Sequence, residues 1–466
     1  MPATNRRRAT ASCIDVAILT NATLDAVRAS ARPLTGGADD YDALLDMVGN
    51  ARFVLLGEAT HGSHEFYAER ARITRRLIEE KGFTAVAVEA DWPDAWRVNR
   101  YVRGEGAGGP QDGDGRAALS GFERFPAWMW RNTAVLDFVE WLRMHNDALA
   151  PGAIKTGFYG LDLYSMYTSI HEVLRYLDAV DPHAAHEARK VYACFDHYER
   201  DSQQYGYEAS FGMSPSCQEG VIDTLRALQQ RGFDYVQAES AGAGDAYFHA
   251  QQNARLVKNA EEYYRTMFKG RISSWNLRDS HMAETLDAVA GHLSQGGKPA
   301  RIVVWEHNSH IGDARATEIG RQGEWTLGEL ARKAHGQDAV LIGFTTYEGR
   351  VTAASEWDGE GQHKHVRPAL RNSYEHLLHS TGIERFFLPL REPSAARDAL
   401  MEERLERAIG VLYLPRSERQ SHYFMAQLPR QFDAVIHIDR TTAVEPLDAG
   451  SGWHSGEPPE TYPGGL

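Results

Sequence analysis

Phe53-Val54-Leu55-Leu56-Gly57-Glu58-Ala59-Thr60-His61-Gly62-Ser63-His64-Glu65 is the stretch whose reading decides the fold. Its first four residues form a continuous apolar run that stops at a glycine, the pattern of a strand buried on both faces. The same pattern returns at residues 84–88 (TAVAV), 157–161 (GFYGL), 302–305 (IVVW), 339–343 (AVLIG), 410–414 (GVLYL) and 434–438 (AVIHI). Helical patterns lie between most of these runs. Strands this apolar, alternating with helices, predict an α/β fold with a mostly parallel central sheet flanked by helices.

Outward from that stretch, residues 165 to 298 read as mainly helical. Ile170, Val173, Leu174 and Leu177 make an i, i+3, i+4, i+7 stripe. Val221, Leu225 and Leu228 suggest a second helix, and the region from Ala254 to Met267 a third. This block is a helical insertion or a cap over the sheet. Residues 104–118 are a Gly-rich surface loop, and the tail from Gly450 has turn composition.

The chain has 466 residues, 42% hydrophobic and 24% charged, with a net charge of −14. That composition excludes a mainly disordered or fibrous chain. The length allows about three domains or one large α/β domain with insertions. The acidic balance argues against a chain-wide nucleic-acid or anionic-membrane surface. No run approaches the ~18 apolar residues that span a bilayer. Arg6, Arg7 and Arg8 precede only a short, interrupted apolar run, so the N-terminus reads as a loose leader rather than a signal peptide. Cys13, Cys194 and Cys217 are too few and too scattered for a disulfide framework or a Cys-based zinc site, and a reducing cytoplasm is the simplest home.

Ligands bind at the carboxyl ends of parallel strands, which is where Glu58 and His61 fall. The flanking glycines permit sharp turns and close backbone approach; a plain turn with Ser63 as helix N-cap is the alternative. In the following helix Arg70 lies on the buried stripe of Phe66, Ile73 and Leu77. A guanidinium directed inward must be paired, and Glu58 or Glu89 is the expected partner. Glu89 ends the next strand and is followed by Asp91. The run 302–305 ends in Glu306-His307-Asn308-Ser309-His310, with His307 and His310 spaced to face one point if a helical turn starts there. Asp162 repeats the strand-end carboxylate. Asn276-Leu277-Arg278-Asp279, placed before a helix at Met282, reads either as more of the site or as caps and salt bridges that brace it.

Several catalytic devices are missing. There is no G-x-S-x-G elbow, no phosphate-binding G-x-x-x-x-G-K-[ST] loop and no G-x-G-x-x-G after the first strand. A histidine surrounded by carboxylates suits general-base activation of water. Arg70, His307 or His310 could then stabilise an oxyanion.

Gly57-Glu58-Ala59-Thr60-His61-Gly62, Val88-Glu89-Ala90-Asp91, Asn276-Leu277-Arg278-Asp279 and Trp305-Glu306-His307-Asn308-Ser309-His310 resemble the erythromycin esterase family, in order, over about residues 40 to 445. The close of the chain, Arg419 to Phe424 and Gln431 to His437, resembles a branch of unknown substrate, some members of which carry a succinoglycan-biosynthesis label. The resemblance implies an α/β sheet with a helical lobe forming a deep cleft, and hydrolysis of a macrolide lactone by histidine-activated water. It implies His61 as base, Glu58 and Glu89 as orienting acids, Arg70 as the first-helix arginine, and His307 and His310 as the paired histidines. Asp91, Asp162 and Arg278 are expected to bind substrate.

The expected organisation is a leader and first helix (1–39), a catalytic domain (40–445) with its helical lobe at about 165–298, and a tail (446–466). The expected partner is a small-molecule ester or lactone, with no nucleic acid and no membrane, acting on a cytoplasmic monomer without a cofactor. Two alternatives stay open. One is a metal-dependent hydrolase, related Gly-x-x-His proteins holding divalent metals, with Glu58, His61, Glu89, His307 and His310 as ligands. The other is a non-catalytic accessory protein of polysaccharide biosynthesis.

Overall fold

A computed structural model describes residues 20–104, 113–198, 201–232, 234–235, 243–268, 270–294 and 297–448. Most of the expected Gly-rich loop, the first part of the leader and most of the tail lie outside the described residues. The strands, numbered along the chain, are β1 (Arg32–Pro33), β2 (Phe53–Leu56), β3 (Ala85–Asp91), β4 (Gly157–Asp162), β5 (Ile302–Trp305), β6 (Ala339–Thr345), β7 (Glu348–Ala353), β8 (Gln362–Val366), β9 (Arg385–Pro389), β10 (Arg404–Arg407), β11 (Tyr423–Ala426), β12 (Ala434–Ile438) and β13 (Arg440–Thr441).

The central sheet has eight strands in the order β1-β9-β12-β6-β2-β5-β3-β4. From β12 to β4 every neighbouring pair is parallel. β9 runs antiparallel to β12 and to β1. β2, β5, β3 and β4 are thus adjacent, although the chain inserts a long helical stretch between β4 and β5. That stretch includes helices Met166–Val180, Gln218–Gln230, Ala243–Met267 and Arg271–Leu293. Every residue of β2, β3, β4, β5 and β6 is buried, which is why their sequences are continuously apolar instead of alternating.

The structure corrects four expectations. Residues 410–414 are not a strand of the sheet. Ile409 and Leu412 make only isolated bridges, to Thr60 and Ala354, and Ile409 and Tyr413 are buried in a small cluster with Val351, Ala353 and Val366. Of the run itself only Tyr413 enters that satellite core, and Leu414 is exposed. β9 takes the place in the sheet instead, and its buried run is only Phe386-Phe387-Leu388 between half-buried Arg385 and Pro389. Residues 276–279 lie within the Arg271–Leu293 helix rather than ahead of one. Ser63 stands at the N-cap of the His64–Lys81 helix without a side-chain cap bond, because its hydroxyl is engaged with Thr60 Oγ1. Finally, the cysteines are not all scattered: Cys194 and Cys217, 6.1 Å apart at Cα, form a disulfide.

Among the described residues no helix is long and apolar enough to cross a membrane.

Candidate active site

The loop after β2 is built around two glycines. A Cβ on Gly57 would lie 2.1 Å from Asn308 Oδ1, and one on Gly62 would lie 1.8 Å from the Thr352 carbonyl oxygen. Backbone cannot retreat as a flexible side chain can, so Gly62 is fixed by close approach. Asn308 in turn donates from Nδ2 to the Phe344 carbonyl and accepts from the Phe344 N–H, locking the β5 exit to β6. The Asn308 N–H donates to the Glu58 carbonyl at 2.9 Å. The two loops that carry Glu58, His61 and His307 are therefore bound to one another by backbone.

His61 Nδ1 lies 2.8 Å from Glu58 Oε1, and Arg70 donates to Glu58 Oε2 at 2.7 Å. Glu58 and Arg70 are both fully buried. The His64–Lys81 helix points Phe66, Arg70, Ile73 and Leu77 into the core, all at 0% exposure. The guanidinium lies over the rings of Tyr67 (4.4 Å) and Trp305 (5.1 Å). Arg70 thus pairs with Glu58, not Glu89, and stands behind that carboxylate on the side away from His61. With Glu58 accepting at Nδ1, the His61 proton is held there and Nε2 keeps its lone pair. Tyr67 Oη donates to the His61 carbonyl at 2.7 Å and steadies the turn.

β5 delivers the second imidazole. The rings of His61 and His307 are 4.7 Å apart. His307 Nδ1 accepts the Ser309 backbone N–H at 3.2 Å and faces the Ser309 hydroxyl at 2.8 Å, which puts its proton on Nε2. That nitrogen is buried and makes no hydrogen bond of full geometry among the described residues, the Ala59 backbone being near enough to act on the ring. Burial, followed by the neighbouring His61, holds the His307 imidazole well below its ordinary basicity. His307 is a neutral ring beside that of His61.

Glu89 does not bond His61. Its Oε2 accepts the His307 backbone N–H at 2.8 Å and its Oε1 accepts Arg278 at 2.8 Å. Arg278 also grips both oxygens of Asp162, at 3.0 and 2.6 Å, and reaches His310 Nε2 at 3.0 Å. His310 Nδ1 faces Asp279 at 3.0 Å, and its ring stacks on Trp275 at 4.5 Å. Burial works against a charged His310, but Asp279 and Glu89 outweigh it and raise its basicity. His307 and His310 therefore do not converge on one point: one faces His61, the other belongs to the Arg278 network. Asp91 is held apart from both, accepting the Ser165 N–H at 2.9 Å and pairing with Arg124 at 3.3 Å.

Sequence reading leaves Asp279 open between site and brace, and gives Trp275, Ser309 and Glu306 no role in the chemistry. The signal for the first two is the stripe Trp275, Arg278, Asp279, Met282, spaced i, i+3, i+4, i+7 and buried throughout. An acid on such a stripe needs a partner, as Arg70 does on its own helix. Glu306 follows β5 directly, fully buried, with neither carboxyl oxygen partnered among the described residues.

The donor set does not fit a metal. Both oxygens of Glu58 and of Glu89 are taken by protein donors, and among the described residues no group of three or more His, Cys, Asp or Glu side chains is arranged to hold an ion.

A model of the erythromycin esterase family matches residues 78–441. The chain belongs to the erythromycin esterase family. Membership points to an esterase or hydrolase, although Glu58, His61 and Arg70 precede the matched span. The chain is 21% identical over 426 residues to erythromycin esterase type II of Escherichia coli, covering 87% of this chain and 94% of that one. Among solved structures, a succinoglycan biosynthesis protein superposes with a TM-score of 0.72 at 22% identity, over 91% of this chain and 98% of that one. An erythromycin esterase mutant in its open conformation superposes at 0.62 and 17% identity, over 89% and 96%. These likenesses carry the mixed α/β fold of this family member and its mostly parallel sheet.

Proposed function

We propose that this erythromycin esterase family member hydrolyses an ester or lactone with His61 as general base and His307 as oxyanion donor. The observation that carries the reading is the adjacent pair of imidazoles: His61 with Nδ1 tied to Glu58, and His307, 4.7 Å away, whose Nε2 makes no hydrogen bond of full geometry among the described residues. A water bound at His61 Nε2 gives up a proton as its oxygen attacks the substrate carbonyl carbon. The carbonyl oxygen gains negative charge and is met by the His307 N–H. The tetrahedral intermediate then expels the alkoxide, which takes the proton from His61 as it leaves.

Glu58 favours the His61 imidazolium in the charged stage, and Arg70 keeps Glu58 paired and aimed. Glu89 acts through the His307 backbone. Asp162, Arg278 and His310 fix the platform beneath, and Asp91 ties β3 to the chain after β4. The same reading takes a small-molecule ester or lactone as the only partner, uses no cofactor, and describes a cytoplasmic monomer that binds neither nucleic acid nor membrane.

The test is a panel of carboxylic esters and lactones, macrolides included, run on wild type and on His61→Ala and His61→Asn. Turnover should vanish in both variants while circular dichroism stays unchanged. A variant that keeps wild-type rates removes the base assignment.

A further inference from the structure

Near the start of β12, five arginines face one concavity of about 600 Å³, lined also by Asp313, Asp433 and Glu392. Asp433 directly precedes β12, Gln337 lies ahead of β6, and Leu390 follows the antiparallel β9, so the concavity stands at the amino ends of the parallel strands. His61 and His307 are at the carboxyl ends. The two places share no lining residue, although the segment after β5 runs from His307 to Asp313.

Two of the arginines are spoken for. Arg315 pairs with Asp313 at 2.6 Å, and Arg332 bridges Asp313 at 3.2 Å and Asp433 at 3.1 Å. The other three have no carboxylate within ion-pair reach among the described residues. Arg391 donates to the Gln337 carbonyl at 2.7 Å and to its side-chain oxygen. Arg397 donates to the Arg391 carbonyl at 2.8 Å, and Arg430 to Gln427 Oε1 at 3.0 Å. Glu392, exposed on the rim, is the one carboxylate of the lining without an ion pair among the described residues.

In a chain of net charge −14, a concavity that gathers three guanidinium groups outside any ion pair against one unpaired carboxylate runs against the overall balance. Like charges held together repel unless an anion joins them. Guanidinium forks with free donors match phosphate and carboxylate oxygens. One monoanion would satisfy a single fork, whereas three separate forks around one cavity call for several negative groups on one molecule.

We propose that this concavity binds a small polyanion carrying two or more phosphate or carboxylate groups, at a site distinct from the His61 centre. Isothermal titration of the full chain with inorganic pyrophosphate and with citrate, at constant ionic strength, tests it. At least one probe should give saturable binding, and which one does so names the chemistry. The triple variant R391A/R397A/R430A should weaken that binding tenfold or more while ester turnover stays at the wild-type rate. R430A alone, at an exposed position, supplies the same reading should the triple variant fail to fold. Neither probe binding saturably to wild type, or variants binding as tightly as wild type, overturns the proposal.

Discussion

Glu89 and Glu306 follow the registered pair Val88–Trp305 on neighbouring strands, and their carboxyl groups are pushed in opposite directions. Burial alone would raise Glu89, but His310 and Arg278 hold it well below the usual carboxylate range. Glu306 has no such partner; burial, then the charges of Glu89 and Asp279, raise it well above that range. Glu89 serves as a charged anchor, and its charge helps keep the proton on Glu306.

That difference predicts a pH-dependent stability. Above its unfolded value near 4.5, Glu306 ionises in the unfolded chain and stays protonated in the fold. Stability is therefore lost as pH rises, by up to about 1.4 kcal/mol per unit until the folded value is reached. Glu306→Gln does not titrate. Its melting temperature should match wild type near pH 4 and exceed it increasingly toward pH 8; parallel curves would refute a neutral Glu306.

Glu58→Gln removes the charge that orients His61. Its kcat should fall by roughly 10²–10⁴-fold, and stability should fall too because Arg70 loses its buried partner. Adding Arg70→Met replaces the stranded guanidinium with an uncharged chain of similar length, so the double variant should recover melting temperature without recovering turnover. Recovery of both would mean that Glu58 matters only for folding.

His307→Ala deletes the N–H that meets the oxyanion. A single lost donor of this kind costs about 10²–10³ in kcat, with KM nearly unchanged. Single-turnover kinetics on the best ester of the panel measure it. A loss carried by KM alone would place His307 in ground-state binding instead.

Arg278→Ala leaves Asp162 and Glu89 without their shared cation in a buried site. Breaking such a pair costs about 3–5 kcal/mol, so chemical denaturation should show a large loss, with Asp162→Asn smaller because Arg278 keeps Glu89. An Arg278→Ala chain as stable as wild type would contradict the network.

The Cys194–Cys217 bridge tests the cytoplasmic setting. Disulfides seldom persist in a reducing compartment. Protein trapped by alkylation in the producing cells should yield three alkylated cysteines if the setting is reducing, and one, Cys13, if the bridge forms there. Mass spectrometry of the intact chain separates the two outcomes.

Much of this architecture is legible in residue order. Runs such as residues 53–56 and 302–305 are apolar without alternation because both faces are covered, and that alone gives an α/β class with a parallel sheet. The stripe of Phe66, Arg70, Ile73 and Leu77 requires a buried acid near Arg70. The run 410–414 misleads because apolar residues in sequence do not require strand pairing: Tyr413 is buried in a satellite cluster, while Leu414 is exposed.

Glu58, His61, Glu89 and His307 can be named from the sequence as groups at strand ends, because a chain leaving a buried strand surfaces at a rim where polar side chains are admitted. Their partners cannot. That β5 enters between β2 and β3, after more than a hundred residues of helices, is decided only when the sheet assembles, and that placement sets the His61 and His307 rings 4.7 Å apart. Likewise, only packing of the Arg271–Leu293 helix across the strand ends gives Arg278 to Asp162 and Glu89, and leaves Arg70 to Glu58. Local sequence sets which groups must be satisfied; long-range contacts, whose energies depend on a few ångströms, choose by what.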